Sequence, residues 1–254
     1  MLLYDKIEIN AYINNNNTIW KAQYLPLKII YEDAYLLVID KSINIVVHPG
    51  NKNRDNTIFN ALLYNYHFLR DLPRAGIIHR LDKDTTGLML VAKDMLTYIY
   101  LKNLLKKHKI IREYETIVYG IIKNDQIINL PIKKVYFNNI IKMIIHSTGK
   151  ESITKLFVKK HFVKYTYLRV QLYTGRTHQI RTHLSYIKHG IIGDPLYKQL
   201  NISNNMLFDL INRQALHACY LKFRHPVFNN ILTLYSKLPK DIQNVLDFLK
   251  KISY

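Results

Sequence analysis

GIIHRLDKDTTGLMLVAK, residues 76–93, sets one carboxylate, Asp82, between an arginine and a turn, just ahead of an apolar strand. The chain around it is strongly basic, with 37 Lys and Arg against 18 Asp and Glu and a net charge of +19. Such an excess attracts polyanions, because each phosphate it neutralises releases condensed counterions. A carboxylate on a short turn at the lip of a sheet repels phosphate, so it is ill suited to a general RNA-contact surface. Asp82 therefore reads as a group placed to act on something that the basic surface has brought in. Taken from the turn alone, the ordinary role of such an Asp is a turn or helix cap.

The 254 residues suffice for one large domain with a sizeable core, or for one domain and a short appendage. Lys, Asn, Ile and Tyr are abundant, and an AT-rich coding bias accounts for part of the lysine excess but not all of it. Nucleic acid is the favoured partner and a membrane surface the second. No apolar run approaches the ~18 residues that span a bilayer, and MLLYDKIEIN is not a signal peptide. Cys219 is the one cysteine, which excludes an internal disulfide and a cysteine-rich zinc site. A cytoplasmic location is the expectation.

Outward from the opening stretch, the patterning gives a mixed order of strands and helices. YLLVID (35–40), INIVVHPG (43–50), GLMLVA (87–92), EYETIVYG (113–120) and KYTYLRVQLYTG (164–175) read as strands. DNTIFNALLYNYHFL (55–69) reads as an amphipathic helix capped by Asp55 or Asn56. DMLTYIYLKNLLKKHK (94–109) reads as a helix capped by Asp94, its basic end matched to the helix dipole. RTHQIRTHLSYIKHG (176–190) reads as a helix closed by Gly190. Residues 215–226 and 230–238 read as a hairpin, and 238–252 as a terminal helix. Residues 7–29 could form two short strands around an Asn-rich turn, too little for a domain. The class is α+β, a largely antiparallel sheet flanked by helices.

HRLDKDTTG (79–87) resembles the signature of the pseudouridine synthases of the ribosomal large-subunit class, whose catalytic aspartate follows Arg-Leu. REYETIVYG (112–120), LYTGRTHQIRTHL (172–184) and RQALHACYLKFRHP (213–226) are similar to three further family segments, in the same order. YEDAYLLVIDKSINIVVHPG (31–50) looks like the family's domain entry. The resemblance implies the pseudouridine synthase fold, a mixed and mostly antiparallel sheet with flanking helices and a central cleft, over 31–254. It implies that residues 1–30 are a truncated remnant of an N-terminal S4-type RNA-binding domain. It also implies isomerisation of specific uridines to pseudouridine in 23S ribosomal RNA, with no cofactor and no metal. A monomer is the default.

Pseudouridine formation breaks the N1–C1′ bond, turns the base and rejoins it through C5. A carboxylate can serve there as nucleophile or as stabiliser of the detached sugar, and the resemblance gives that role to Asp82. A carboxylate shut away from water needs a cation beside it to stay ionised, and the resemblance offers Arg176. It further implies that Arg80 contacts the RNA backbone beside the extruded nucleotide. Tyr114 would stack on the target base and assist a proton transfer. Without the motif each has a plainer reading: a phosphate contact for Arg176, a salt bridge to Asp84 for Arg80, a core tyrosine among 20 for Tyr114. Lys106, Lys107, Lys109 and Arg181 are candidate RNA contacts, although the lysines usually mark a solvated helix end. His178 and His183, five apart, do not share a helix face and are not read as metal ligands; His79 and His217 read as structural hydrogen-bonders. Thr86 stands where the family often has Ser, which keeps the hydroxyl. The alternative function is a non-catalytic rRNA-binding or ribosome-assembly factor that retains the fold.

Overall fold

The computed structural model describes residues 20–50, 53–137, 140–197 and 210–253. Nine strands form one sheet: β1 (Ile29–Glu32), β2 (Leu36–Lys41), β3 (Thr86–Ala92), β4 (Ile111–Tyr119), β5 (Gln126–Asn129), β8 (Ile153–Phe162), β9 (Tyr165–Leu172), β10 (Leu216–Arg224) and β11 (Ile231–Tyr235). The order is β1-β2-β3-β10-β4-β9-β8-β5, with β11 also paired to β10. The β3–β10 pairing is parallel and the other named pairings are antiparallel. β6 (Ile132–Phe137) and β7 (Ile140–Ile145) make a separate two-stranded sheet. The helices described are α1 (Ile58–Asn65), α2 (Met95–Lys106), α3 (Gln179–Tyr186) and α4 (Lys240–Lys251).

Successive residues of a strand face opposite sides of the sheet, and here both sides are covered. Leu36, Val38, Leu88 and Leu90 share one core cluster with Leu101 of α2. Leu37, Ile39, Met89 and Val91 share the other with Leu62 of α1, Leu184 of α3 and Val245 of α4. A strand buried on both faces reads as a continuous apolar run, which is why YLLVID and GLMLVA carry no alternation. All seven residues of β3 are buried.

Four sequence expectations are corrected. Residues 43–50 do not form a strand beyond isolated bridges. The chain turns at Asn44, whose φ is 62°, and the carbonyls of Val46 and Val47 accept from the N–H groups of Ile58 and Phe59 at 3.0 Å each. They satisfy the donors that a helix start leaves free. The cap of α1 is Thr57, neither Asp55 nor Asn56. Thr57 is extended, and it exchanges bonds with Asn60 in a reciprocal capping box. The helix is also shorter than expected, ending at Asn65 before a 3₁₀ segment over His67–Asp71. Finally, α3 starts at Gln179 rather than Arg176, because His178 is left-handed with φ 51°.

The expected boundary at residue 30 falls inside β1. Asn60 donates its side-chain amide to the Lys21 carbonyl at 2.7 Å, and its own carbonyl accepts from Gln23 N–H at 3.1 Å. Ala22 and Leu27 pack on the larger core cluster. Residues 1–19, where most of the expected S4-type remnant and its Asn-rich turn fall, lie outside the described residues. No helix among the described residues is long and apolar enough to cross a membrane.

Candidate active site

Asp82 lies on the irregular segment that leads into β3. Its own carbonyl accepts from Thr85 N–H at 3.1 Å, closing a turn. The turn is held from two other directions. Lys41, 2% exposed at the end of β2, donates its ammonium to the carbonyls of Lys83, Ser42 and Ile45 at 2.8, 2.8 and 3.0 Å. Arg213 donates to the Asp84 carbonyl at 2.9 Å, and it is itself fixed by a two-point pair with Asp241 of α4 at 2.7 and 2.9 Å. Gln214 donates to the Thr85 hydroxyl at 3.1 Å, and the Thr86 hydroxyl meets His217 Nδ1 at 2.9 Å. The chain then enters β3 at Gly87, whose φ is +112°. A Cβ there would stand 2.2 Å from the Ala218 carbonyl oxygen of β10, so the parallel crossing that fixes the turn requires glycine. A site carboxylate is precise only when the shell around it is locked, and this one is locked from β2, β10 and α4.

The counter-ion of Asp82 is Arg181, at 3.1 Å. Arg181 also makes a two-point pair with Asp194, Nε to Oδ2 at 2.7 Å and Nη2 to Oδ1 at 2.9 Å. Asp194 is in turn fixed by the N–H groups of Leu196 and Tyr197 at 2.9 and 3.0 Å. Burial by itself would push Arg181 down. The hydrogen bonds and charges of Asp194 and Asp82 outweigh it and hold the guanidinium above its usual range. Burial would likewise raise Asp194, but Arg181 and the two backbone donors hold it below the usual carboxylate range. His178 Nε2 lies 4.0 Å from Asp82, and its Nδ1 shares a 3.0 Å bond with the Tyr197 hydroxyl. Burial lowers His178 despite the nearby Asp82, so the imidazole is neutral at pH 7.

The expectation that Arg176 pairs with Asp82 is thereby corrected. Arg176 is exposed, and its Nε donates to the Glu151 carbonyl at 3.1 Å. It precedes the left-handed break at His178, whereas Arg181 is in the first turn of α3 and is buried. Arg181, expected among the RNA contacts, is 6% exposed and committed to two carboxylates. The sequence reading missed Arg181 in this role, Asp194 and Tyr197. The available signal was an arginine inside the buried run QIRTHL and an aspartate in the Gly-Asp-Pro turn at 193–195.

Asp82 opens on a cavity of about 640 Å³ whose walls include Arg80, Tyr114, Arg176 and Lys106, a volume within the ~300–1,000 Å³ common for ligand sites. Tyr114 projects from β4 and is 4% exposed. Burial, opposed by Arg112 and reinforced by Asp82, pushes its phenol up to about 12. Arg80 is exposed, and neither it nor Asp84 forms an ion pair within 4.0 Å among the described residues. It lies in the irregular approach to the turn and not on a strand. Lys107 caps the C-terminal end of α2, outside the cavity lining, and Lys109 borders a different groove with Ile111 and Phe223. His217 and His183 are buried structural bonders, His183 to the Thr154 hydroxyl and the Leu130 carbonyl. His79 Nε2 accepts from Leu90 N–H at 3.3 Å.

A family profile described as RNA pseudouridylate synthase matches residues 35–186. The chain belongs to this family and is an RNA pseudouridine synthase, an isomerase. It is 46% identical over 227 residues to "Ribosomal large subunit pseudouridine synthase D" of Buchnera aphidicola subsp. Acyrthosiphon pisum, covering 87% of this chain and 72% of that one. The protein of the same name from Blochmanniella floridana is 44% identical, covering 98% of this chain and 82% of that one. Among solved structures, "Human RNA Pseudouridylate Synthase Domain Containing 4" matches with a TM-score of 0.69 at 22% identity, over 88% of this chain and 93% of that one. That likeness establishes the pseudouridine synthase fold.

Proposed function

We propose that this chain isomerises specific uridines in 23S ribosomal RNA, with Asp82 as the essential catalytic group. The observation that carries the reading is a rigid carboxylate, paired to a buried arginine, at the wall of a cation-lined cavity that also contains the ring of Tyr114. The names of the relatives support the substrate: they are ribosomal large subunit pseudouridine synthases.

In this reading an extruded uridine enters the cavity and its base lies against Tyr114. The N1–C1′ bond breaks, the base turns, C5 bonds to C1′, the C5 proton is lost and N1 takes one up, which completes the isomerisation. Asp82 acts on the reacting nucleotide as nucleophile or as the fixed negative charge that stabilises the detached sugar. Arg181 holds the carboxylate in place at 3.1 Å, so it is a positioning residue. Tyr114 stays a neutral phenol at physiological pH, able to stack and to donate a proton. Arg80 and Arg176, both exposed at the cavity, contact the RNA backbone, and Lys106 extends that contact along α2. The enzyme works as a monomer, without metal or cofactor.

The test is a pseudouridine map of 23S rRNA from cells that lack the endogenous synthase and are supplied with this protein or with Asp82→Asn. Pseudouridine restored at defined sites by the unmutated protein alone is the expected result. Restoration by Asp82→Asn would remove Asp82 from the mechanism. Restoration by neither, with rRNA still bound, would favour a non-catalytic binding factor.

A further inference from the structure

Arg112 is a buried guanidinium without an anion. It is 6% exposed, it lines the same cavity as Asp82, and it has no carboxylate within 4.0 Å among the described residues. Its Nε is buried with no hydrogen-bond partner among the described residues. Only Nη2 is engaged, at 3.5 Å to each of the Leu172 and Thr174 carbonyls, the outer limit of a useful bond. Gly175 lies beside it: a Cβ there would stand 2.9 Å from Nη1, the far end of the side chain. An uncompensated buried charge is costly to a fold, and a fold retains one where a ligand repays that cost.

The surroundings of Arg112 repeat the pattern. Lys102 and Arg74 line the cavity, and neither forms an ion pair among the described residues. Arg74 and Ala75 are held at left-handed φ of 57° and 50°, a strain that such segments retain at functional sites. His79 accepts at Nε2, so its Nδ1 carries the proton, and that Nδ1 is buried without a partner among the described residues. Burial and the nearby cations keep both His79 and His48 uncharged at pH 7. Unmet donors and unpaired cations therefore converge on one wall, opposite in character to the paired carboxylate.

We propose that Arg112, with Lys102 and Arg74, forms a phosphate subsite that holds the phosphodiester of the extruded nucleotide. The inference rests on the reading of the cavity as the place where that nucleotide is turned. Arg112 and Tyr114 leave the same face of β4, roughly 6.6 Å apart along the strand, so one clasps the backbone while the other meets the base. The guanidinium fork matches two phosphate oxygens. A uracil carbonyl is neutral and needs one donor, which does not account for three converging cations.

The experiment uses the full chain and a synthetic 23S rRNA hairpin spanning the mapped target, native or with a neutral methylphosphonate at the linkage 5′ or 3′ of the target uridine. Binding is measured across a salt series and melting is measured without RNA, for the unmutated protein and for Arg112→Met. Arg112→Met should melt a few degrees higher, because it removes an unpaired buried charge. It should bind native RNA about 10–100-fold more weakly, with a log affinity against log salt slope shallower by about one. One of the two neutral linkages should cost the unmutated protein a similar factor and cost Arg112→Met nothing further. A lower melting temperature with unchanged affinity and salt slope would make Arg112 a structural brace and overturn the proposal. Full tolerance of both neutral linkages would overturn it in favour of a base contact. Should Arg112→Met fail to fold, Lys102→Gln carries the same salt-slope prediction from a half-buried helix position. None of these readouts needs turnover: RNA bound as described but never converted would defeat the isomerase reading and leave the subsite standing.

Discussion

Two walls of one cavity handle charge in opposite ways. At the first, Asp82, Arg181 and Asp194 form a closed set in which a buried cation answers two carboxylates and backbone donors finish the count. At the second, Arg112, Lys102 and Arg74 face the same space, and among the described residues none of them has a carboxylate within 4.0 Å. The paired wall is complete without a substrate, which suits groups that must be aimed before chemistry begins. The unpaired wall is incomplete until an anion arrives, which suits binding. A single-signed cavity could not do both: a lone carboxylate would repel RNA, and cations alone would leave nothing to act on the sugar.

The comparison breaks most visibly at Asp82. Asp82→Asn should lower conversion by about 10⁴-fold or more, while RNA affinity holds or improves because a repulsive charge is gone; single-turnover conversion and a binding curve on the same RNA check both halves. Arg181→Met should next cost about 3–5 kcal/mol of stability in urea unfolding, since it strands the buried Asp194 carboxylate and takes the cation from Asp82. That sign is opposite to the one expected for methionine at Arg112, and equal signs would erase the distinction between the walls. Tyr114→Phe keeps the ring and removes the phenol. It should slow conversion by about 10²-fold with little change in affinity, and an equal loss in both would make the hydroxyl a binding group. The smallest effect tests the unpaired wall through pH. His79 is pushed down to about 3 by burial and then by Arg112 and Lys102, against about 6.5 in an unfolded chain. Between those values the unfolded state takes up a proton that the folded state refuses. Its contribution is therefore full above pH 6.5 and falls with pH by about 1.4 kcal/mol per unit. Urea curves from pH 7 to 5 should show that slope reduced in His79→Gln.

Much of this was legible in the residues themselves. The apolar runs of β2 and β3, the Asp94 cap of α2, the hairpin of β10 and β11 and the placing of Asp82 before a buried strand all rest on local chemistry that a sequence records directly. The failures have a common form. Residues 43–50 have strand composition, yet their carbonyls were claimed by the start of α1. The helix expected from Arg176 begins three residues later, at a left-handed histidine that no propensity announces. Arg176 is offered as the partner of Asp82 by the resemblance; it stands ahead of the left-handed break at His178, and Arg181, inside the helix, is the arginine that meets Asp82.

The sequence by itself determined the class of fold, the basic character, the family and the place of Asp82 just ahead of a buried strand, because each depends on residue type, short-range order or both. Only the tertiary structure decided which cation meets which anion. Arg181 and Asp82 are separated by 99 residues, Arg213 and the carbonyl of Asp84 by 129. An ion pair depends on distance, burial and direction in space, and none of these is carried by spacing along the chain.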